Sequence, residues 1–149
     1  MPGGLISVLF VDSNIPIYAR GRPHSLKDAC GRILDLVVAA PNAFVTNSEV
    51  LQELLHYLLT ARLGIDRFDD FVSLMRGRIE PVYAGDVERA AMLAPQYAGI
   101  KTRDLVHASV MERMGVHHVI SADRRLSRIG GLTRLDPADV ETWSRQIES

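Results

Sequence analysis

Short apolar runs alternate with longer segments of helical periodicity, and this alternation constrains the fold more than any other feature of the sequence. The first run, residues 8–11, is apolar throughout, which is typical of a strand buried on both faces of a parallel sheet. It ends abruptly at Asp12-Ser13-Asn14. A strand of this kind needs helices on both sides of the sheet, so the pattern predicts an α/β fold built from right-handed βαβ units.

The same pattern predicts five strands, near residues 8–11, 43–46, 79–83, 119–121 and 132–135. Pro81 suggests that the third strand lies at an edge, because proline donates no hydrogen bond to a neighbouring strand. Helices are predicted from residue 25 to a break at 41–42, over 48–62, 66–76, 86–93 and 102–114, and from 136 onward. We expect Ser25, with Asp28, and Thr102 to act as helix caps, and Gly115 to end the helix before it.

Composition indicates one soluble domain over residues 1–149. Apolar residues make up 47% of the chain and charged residues 23%, which excludes a disordered chain. No apolar run approaches the roughly 18 residues of a membrane-spanning helix, and the N-terminus does not resemble a signal peptide. The single cysteine, Cys30, cannot form an internal disulfide and is expected to be a buried small side chain. We therefore expect a cytoplasmic protein without a membrane partner.

Charge by itself does not indicate a nucleic-acid partner, because the net charge is −1. Of the 17 basic residues all but Lys27 and Lys101 are arginine, the side chain that binds phosphate through two parallel hydrogen bonds. Genomic base composition is the favoured explanation of this bias. Several arginines lie close in sequence to the acidic residues considered next and are candidates for RNA phosphate contacts: Arg103, Arg124 and Arg125, with Arg20, Arg22 and Arg128.

Four carboxylates from distant segments are placed where they could meet at the carboxyl edge of the sheet. Asp12 follows the first strand, Asp123 follows the fourth, Asp104 lies in the first turn of a helix and Glu53 lies in the second turn of another. Crowded carboxylates repel one another, so such a cluster normally needs a cation. Hard oxygen ligands suit Mg²⁺ or Mn²⁺, which can activate water for phosphodiester hydrolysis.

Each carboxylate also has a purely structural explanation. An aspartate after a strand is often a turn former or a helix cap, and Asp104 could complement the helix dipole. Glu53 lies off the apolar stripe of its helix, so periodicity does not favour it over Glu49, which could form a capping box with Thr46. For His107, one turn after Asp104, a packing or structural role is favoured over contact with phosphate or the acidic site.

Four segments in order resemble the PIN domain family, and within it the VapC-type toxins of toxin–antitoxin modules. They are residues 12–18 (DSNIPIY), 46–55 (TNSEVLQELL), 103–108 (RDLVHA) and 119–137, which begins VISAD. The resemblance implies a five-stranded, mostly parallel sheet in a three-layer α/β/α sandwich, with a Mg²⁺- or Mn²⁺-dependent ribonuclease site. It implies metal-binding roles for Asp12, Glu53, Asp104 and Asp123. Asn14 would orient the first aspartate, and Ser121 occupies a serine or threonine position beside the last acid.

The resemblance also implies partners. We expect an RNA substrate, with tRNA or rRNA favoured, an antitoxin on a separate polypeptide, and a homodimer. Leu126 stands where the family commonly has an aromatic residue, and it can fill the same apolar space. Two alternatives stay open: a PIN-type module that binds RNA or protein without catalysis, and a receiver-like signalling domain. The latter requires an aspartate after the third strand, where the sequence has Val82-Tyr83-Ala84-Gly85.

Overall fold

A five-stranded sheet with strand order β3-β2-β1-β4-β5 forms the centre of the computed structural model, which describes residues 4–148. The strands are β1 (Leu9–Val11), β2 (Phe44–Asn47), β3 (Ile79–Glu80), β4 (His118–Ile120) and β5 (Thr133–Leu135). Every pairing between them is parallel. The predicted α/β fold is confirmed, and β3 lies at an edge, as Pro81 suggested.

Helices cover both faces of the sheet. They are α1 (Asn14–Arg20), α2 (Lys27–Ala39), α3 (Ser48–Thr60), α4 (Asp66–Leu74), α5 (Ala84–Leu93), α6 (Thr102–Met114) and α7 (Val140–Trp143). The chain moves from β1 outward to β3 and then returns across the sheet to β4, so right-handed crossovers place α1–α4 on one face and α5 and α6 on the other. In residues 4–148, no helix is long and apolar enough to cross a membrane.

Strand β1 is the most completely buried strand, and α6 is the most completely buried helix. All three residues of β1 are fully buried, as expected for a strand with helices on both faces. In α6, every residue from Asp104 to Met111 is buried, so this helix is enclosed all round rather than along one stripe. Gly115 ends α6 in the left-handed conformation, with a φ of 70°, as predicted. Cys30 is fully buried, and burial raises the pKa of its thiol to about 12.

Two local predictions were wrong, and one helix was missed. The helix expected from Ser25 begins at Lys27, and no side chain caps it. Thr102 is the first residue of α6 rather than its cap, because the non-helical position before the helix belongs to Lys101. Helix α1 was not predicted, since its seven residues include Pro16 and are too few for a clear helical period. Pro16 is tolerated because it lies in the first turn, where its missing N–H has no partner to lose.

Strands β1 and β4 are neighbours in the sheet, although β2 and β3 lie between them in the chain. Strand order therefore reverses between them, and the crevice at their carboxyl ends is where open α/β sheets bind ligands. Asp12 directly follows β1 and Ser121 directly follows β4. The fold thus brings the predicted acidic segments to one edge.

Candidate active site

Asp12 lies at the centre of this edge and is held by three hydrogen bonds. It is 3% exposed. The backbone N–H of Ser13 donates to its Oδ1 at 2.7 Å, and the Ser121 hydroxyl donates to its Oδ2 at 2.5 Å. The Asn14 side-chain amide donates to the same Oδ2 at 3.2 Å. The carboxylate plane is therefore fixed before any ligand binds.

Asn14 and Ser121 join the ends of β1 and β4. The Asn14 Oδ1 accepts the backbone N–H of Ala122 at 3.1 Å, which turns its Nδ2 toward Asp12 and Ser121. The Ser121 hydroxyl oxygen also accepts the backbone N–H of Asp123 at 3.0 Å. Asn14 thus contacts Asp12, the carboxylate that the family resemblance predicts it to orient.

Glu53 reaches the edge from the second turn of α3. Its Oε2 accepts the Ser13 hydroxyl at 2.9 Å and lies 3.3 Å from Nε of Arg103. Its Oε1 lies 2.8 Å from Nε2 of His107. Burial opposes ionisation, but the interactions with His107, Ser13 and Arg103 together outweigh it, so the pKa of Glu53 is lowered. Glu53 is held as a carboxylate aimed at Asp12.

His107 is 1% exposed, and its hydrogen bonds define its tautomer. The Asn47 Oδ1 caps α3 by accepting the N–H of Val50 at 2.9 Å, which turns the Asn47 NH₂ group toward Nδ1 of His107 at 3.0 Å. Nδ1 must then accept, so the ring proton sits on Nε2 and is donated to Glu53. Burial lowers the pKa of His107, whereas Glu53 and Asp12 raise it overall. A second proton would nevertheless face the Asn47 NH₂ group, so we infer a neutral ring.

Asp104 is the carboxylate without a partner. It is 5% exposed, and its Oδ2 has no hydrogen-bond partner in residues 4–148. Burial, followed by the charge of Asp12, raises its pKa to about 7. A buried, unsatisfied polar group destabilises a fold by about 1–3 kcal/mol. This oxygen points to a ligand that the polypeptide itself does not provide.

Asp123 completes the cluster at its outer side. Its Oδ1 accepts the backbone N–H of Arg125 at 3.0 Å and the Arg125 Nε at 3.1 Å. Burial raises the pKa of Asp123, but these hydrogen bonds outweigh that effect and lower it. The Asp123 carboxylate is thus ionised, beside Asp104, whose pKa is raised.

The chemistry of these groups fits a divalent cation. One atom from each of Asp12, Glu53 and His107 lies within 4.8 Å of the others. The His107 Nε2 carries the proton donated to Glu53, so His107 positions that carboxylate rather than offering a lone pair. The remaining donors are carboxylate oxygens, the ligands that Mg²⁺ and Mn²⁺ prefer. A cation would also satisfy the Asp104 oxygen.

A cleft of about 790 Å³ opens over the carboxylates. All four acids line it, and Glu49 does not. Thr46, the proposed capping partner of Glu49, instead donates its hydroxyl to the Val11 carbonyl at 2.9 Å, and Asn47 caps α3. The geometry therefore assigns Glu53 rather than Glu49 to the acidic cleft, a choice that helical periodicity could not make.

Comparison with known proteins supports the resemblance. The sequence profile of the PIN domain family matches residues 9–132. The chain belongs to the PIN domain family. Ribonuclease VapC13 of Mycobacterium tuberculosis is 31% identical over 130 residues, which covers 86% of this chain and 99% of that protein. This membership removes the support for a receiver-like domain.

Two solved structures share the fold. M. tuberculosis VapC20, a toxin that cleaves the sarcin–ricin loop, matches with a TM-score of 0.68 and 19% identity, over 82% of this chain and 95% of that one. VapBC2 from Rickettsia felis, bound to a DNA fragment from its promoter, matches with a TM-score of 0.66 and 20% identity, over 87% and 98%.

Several residues of the site were not identified from sequence. The sequence favours a packing or structural role for His107 over contact with the acidic site, but its ring hydrogen-bonds to Glu53. Ser13 and Asn47 carried no signal beyond being polar residues after strands. Leu126 is 1% exposed and fills apolar space, as expected.

The arginine candidates divide into two groups. Arg22, Arg103, Arg124 and Arg125 line the cleft. The other two do not: Arg20 pairs with Asp70 at 3.5 Å, and Arg128 donates to the Ala98 carbonyl at 2.9 Å.

Proposed function

We propose that this protein is a divalent-metal-dependent endoribonuclease of the VapC type, which hydrolyses RNA phosphodiesters in the cleft over Asp12. The observation that carries the proposal is the convergence of four carboxylates, one of which has a buried oxygen without a partner. The similarity to VapC13 over most of both chains supplies the reaction class. Mg²⁺ is the first choice, with Mn²⁺ as the alternative.

Asp12, Glu53, Asp104 and Asp123 would hold the metal. When bound, the ion would lower the pKa of a coordinated water and stabilise the leaving oxygen. The protein's own part is preorganisation. Asn14 and Ser121 fix the Asp12 carboxylate, and His107 and Ser13 fix that of Glu53. These partners keep the carboxylates oriented while substrate enters and leaves.

Arginines at the cleft would hold the RNA backbone. Arg103, Arg124 and Arg125 are exposed and surround the acids. Their guanidinium groups can bind phosphate through paired hydrogen bonds, and they offset the negative potential that would otherwise repel RNA. Near-neutral net charge is compatible with this arrangement, because a local group of basic side chains lines the cleft: Arg22, Lys101, Arg103, Arg124 and Arg125.

We further propose that a separate antitoxin polypeptide controls the enzyme, by analogy with VapBC2 of R. felis. The RNA would be tRNA or rRNA, by analogy with the ribosomal loop cleaved by VapC20. A homodimer is also proposed, and sedimentation of the purified chain would test it.

The central experiment is cleavage of total tRNA and rRNA by purified protein with Mg²⁺, Mn²⁺ or EDTA. We expect discrete fragments that disappear with EDTA and fall at least about 100-fold in Asp12→Asn and Asp104→Asn, since each substitution replaces a carboxylate that would hold the metal. Asp70→Asn, at an exposed ion pair, is the matched control and should cleave normally.

Absence of cleavage, together with no heat on titrating Mn²⁺ into folded protein, would contradict the proposal and favour the non-catalytic module. Cleavage that persists unchanged in EDTA and in both variants would contradict the metal mechanism.

A further inference from the structure

The cleft continues beyond the carboxylates along two helices that lie side by side. Tyr18 follows Asn14 by four residues in α1, and Tyr57 follows Glu53 by four residues in α3. At 1.5 Å per residue, each tyrosine stands about 6 Å farther along its helix axis than the polar residue at the acidic site. Both side chains line the same cleft as the carboxylates. The acidic end is therefore followed by an aromatic section.

The two rings are held in place, but their hydroxyls are not used by the fold. Tyr18 stacks on His24, with ring centroids 3.8 Å apart and planes at 9°. A Cβ on Gly21 would clash with the Ile17 carbonyl oxygen and would also lie 2.7 Å from the Tyr57 hydroxyl, so the glycine leaves room for this tyrosine. Within residues 4–148, neither hydroxyl has a hydrogen-bond partner in the protein, and both side chains are only partly buried. Two preorganised polar aromatic groups thus face the cleft.

An arginine closes the outer end of this section. Arg22 follows α1, and its Nη2 donates to the carbonyl of Ala61, the residue after α3, at 3.1 Å. The negative ends of both helix dipoles lie there and favour a cation. One guanidinium nitrogen is fixed in this way, while the side chain remains exposed and lines the cleft. Its other N–H groups are available to a phosphate.

We propose that Tyr18, Tyr57 and Arg22 form a nucleotide subsite beside the cleavage position, in which the tyrosines contact a base of single-stranded RNA and Arg22 binds a flanking phosphate. The proposal rests on the proposed ribonuclease function. Aromatic side chains that stack bases, together with arginines along the backbone, are the usual means of holding single-stranded RNA. An uncharged base next to four carboxylates also avoids the repulsion that a second phosphate would meet there.

The environment of Tyr18 agrees with a donor role toward base or ribose oxygens. Burial, the neighbouring Cys30 and the charges of Asp12 and Asp123 raise the pKa of its hydroxyl. The hydroxyl therefore stays protonated at neutral pH and can donate a hydrogen bond.

The test compares binding of two fluorescein-labelled probes in EDTA, which prevents cleavage: a ten-nucleotide single-stranded RNA and the same backbone without bases. Fluorescence anisotropy gives both affinities. Tyr57→Leu should weaken binding of the RNA by about 5- to 150-fold, the range for one base–aromatic stack, and should leave the abasic probe unaffected. Arg22→Gln should weaken both probes and reduce the slope of log K against log salt by about 0.7.

Matched controls are Tyr83→Leu and Arg89→Gln, which change an exposed tyrosine and an exposed arginine away from the cleft. Both should bind as wild type does. Mn²⁺ titration calorimetry on each variant should show unchanged metal affinity, which separates the subsite from the carboxylates.

Wild-type affinity for RNA in both Tyr57→Leu and Arg22→Gln would overturn the subsite while leaving the ribonuclease proposal intact, and would assign this surface to a protein partner instead. Loss of Mn²⁺ binding in Tyr57→Leu would also overturn it, since Tyr57 would then support the carboxylates. Failure of the wild-type protein both to bind and to cleave RNA would overturn the subsite and the proposed function together.

Discussion

A cluster of carboxylates lies near each end of helix α6. The two clusters differ in how their negative charge is balanced. Near its C-terminal end, Arg113 binds Asp86 through Nε at 2.8 Å and Nη2 at 2.9 Å, and Glu80 through Nη1 at 2.9 Å. The Tyr83 ring packs under the same guanidinium at 4.8 Å. Near the N-terminal end, Asp104 has no such partner in the part of the chain that the structure describes.

The pKa values follow this difference. The hydrogen bonds from Arg113 lower the pKa of Asp86, although burial opposes them. Burial and neighbouring carboxylates raise that of Asp104 to about 7. Two buried aspartates of nearly equal exposure, 4% and 5%, thus have opposite shifts. Burial alone therefore does not distinguish a structural carboxylate from one that binds a ligand. The presence or absence of a cationic partner does distinguish them.

Metal addition should separate the two clusters most strongly. At a free Mn²⁺ concentration of 100 times its dissociation constant, the wild-type protein should gain about 2.7 kcal/mol of unfolding free energy. Asp104→Asn should gain almost none, because it removes a ligand. Urea denaturation with and without MnCl₂ measures this, with Asp70→Asn as control. An equal gain in Asp104→Asn would place the metal elsewhere.

At the other cluster, where Arg113 binds Asp86 and Glu80, a substitution should change the stability of the fold and not metal binding. Asp86→Asn removes the charge that Arg113 and the Tyr83 backbone N–H hydrogen-bond. We expect a loss of about 1–3 kcal/mol, the range for hydrogen bonds to a charged group, with an unchanged Mn²⁺ gain. Glu112→Gln, at the exposed pair with Arg89, is the control and should cost less than about 1 kcal/mol. A stable Asp86→Asn protein would mean that Arg113 is satisfied by Glu80 alone.

His107 should affect metal binding without being a ligand. His107→Ala removes the donor that orients Glu53, and loss of such an outer partner typically lowers metal affinity about 10- to 100-fold. His107→Gln, whose amide can donate to Glu53, should recover part of it. Calorimetry with Mn²⁺ measures the affinity, and Ser109→Ala, also buried in α6, is the control. Imidazole ¹⁵N shifts should show a neutral ring protonated on Nε2; a metal-bound ring nitrogen would contradict the positioning role.

The fold was predictable because its signals are local. Residues 8–11 are apolar without alternation, and this alone indicates a strand enclosed on both faces, which β1 is. Three of the acids follow strands or open helices, so topology requires them to meet at one edge. Only the family resemblance identifies Glu53 as a site residue, since the apolar pattern of its helix does not favour it over Glu49.

The rest depends on contacts that sequence patterns do not encode. The role of His107 arises because Asn47 and Glu53, 60 and 54 residues away, happen to flank its two ring nitrogens. The Asp86–Arg113 pair likewise joins two helices, and neither residue stands in a motif. Helix α1 is short, and its start at Asn14 is set by the end of β1 rather than by a cap, since Ser13 makes no side-chain cap hydrogen bond.

Stability against pH should also distinguish the two clusters in metal-free protein. The folded-state pKa of Asp104 is about 7, above its ordinary value of 3.8. Between these values the unfolded chain has lost a proton that the native state keeps, so unfolding free energy falls as pH rises through this window and levels off above it. Relative to Asp104→Asn, wild type should lose up to about 1.4 kcal/mol per pH unit there. Parallel curves from urea denaturation at pH 4–8 in EDTA would contradict the shift.

The smallest effect is expected at the rim of the acidic cluster, where arginines differ in their pairing. Arg125 is engaged with Asp123 at 3.1 Å, whereas Arg124 is exposed at the cleft without a salt bridge in residues 4–148. Arg124→Gln should therefore reduce the salt dependence of RNA binding by about 0.7 in slope, the contribution of one phosphate contact on a single strand. Arg125→Gln should change this slope less, because Arg125 is already paired with Asp123 and contributes less to RNA binding. An equal change of slope in the two variants would show that RNA binding breaks the Asp123–Arg125 pair.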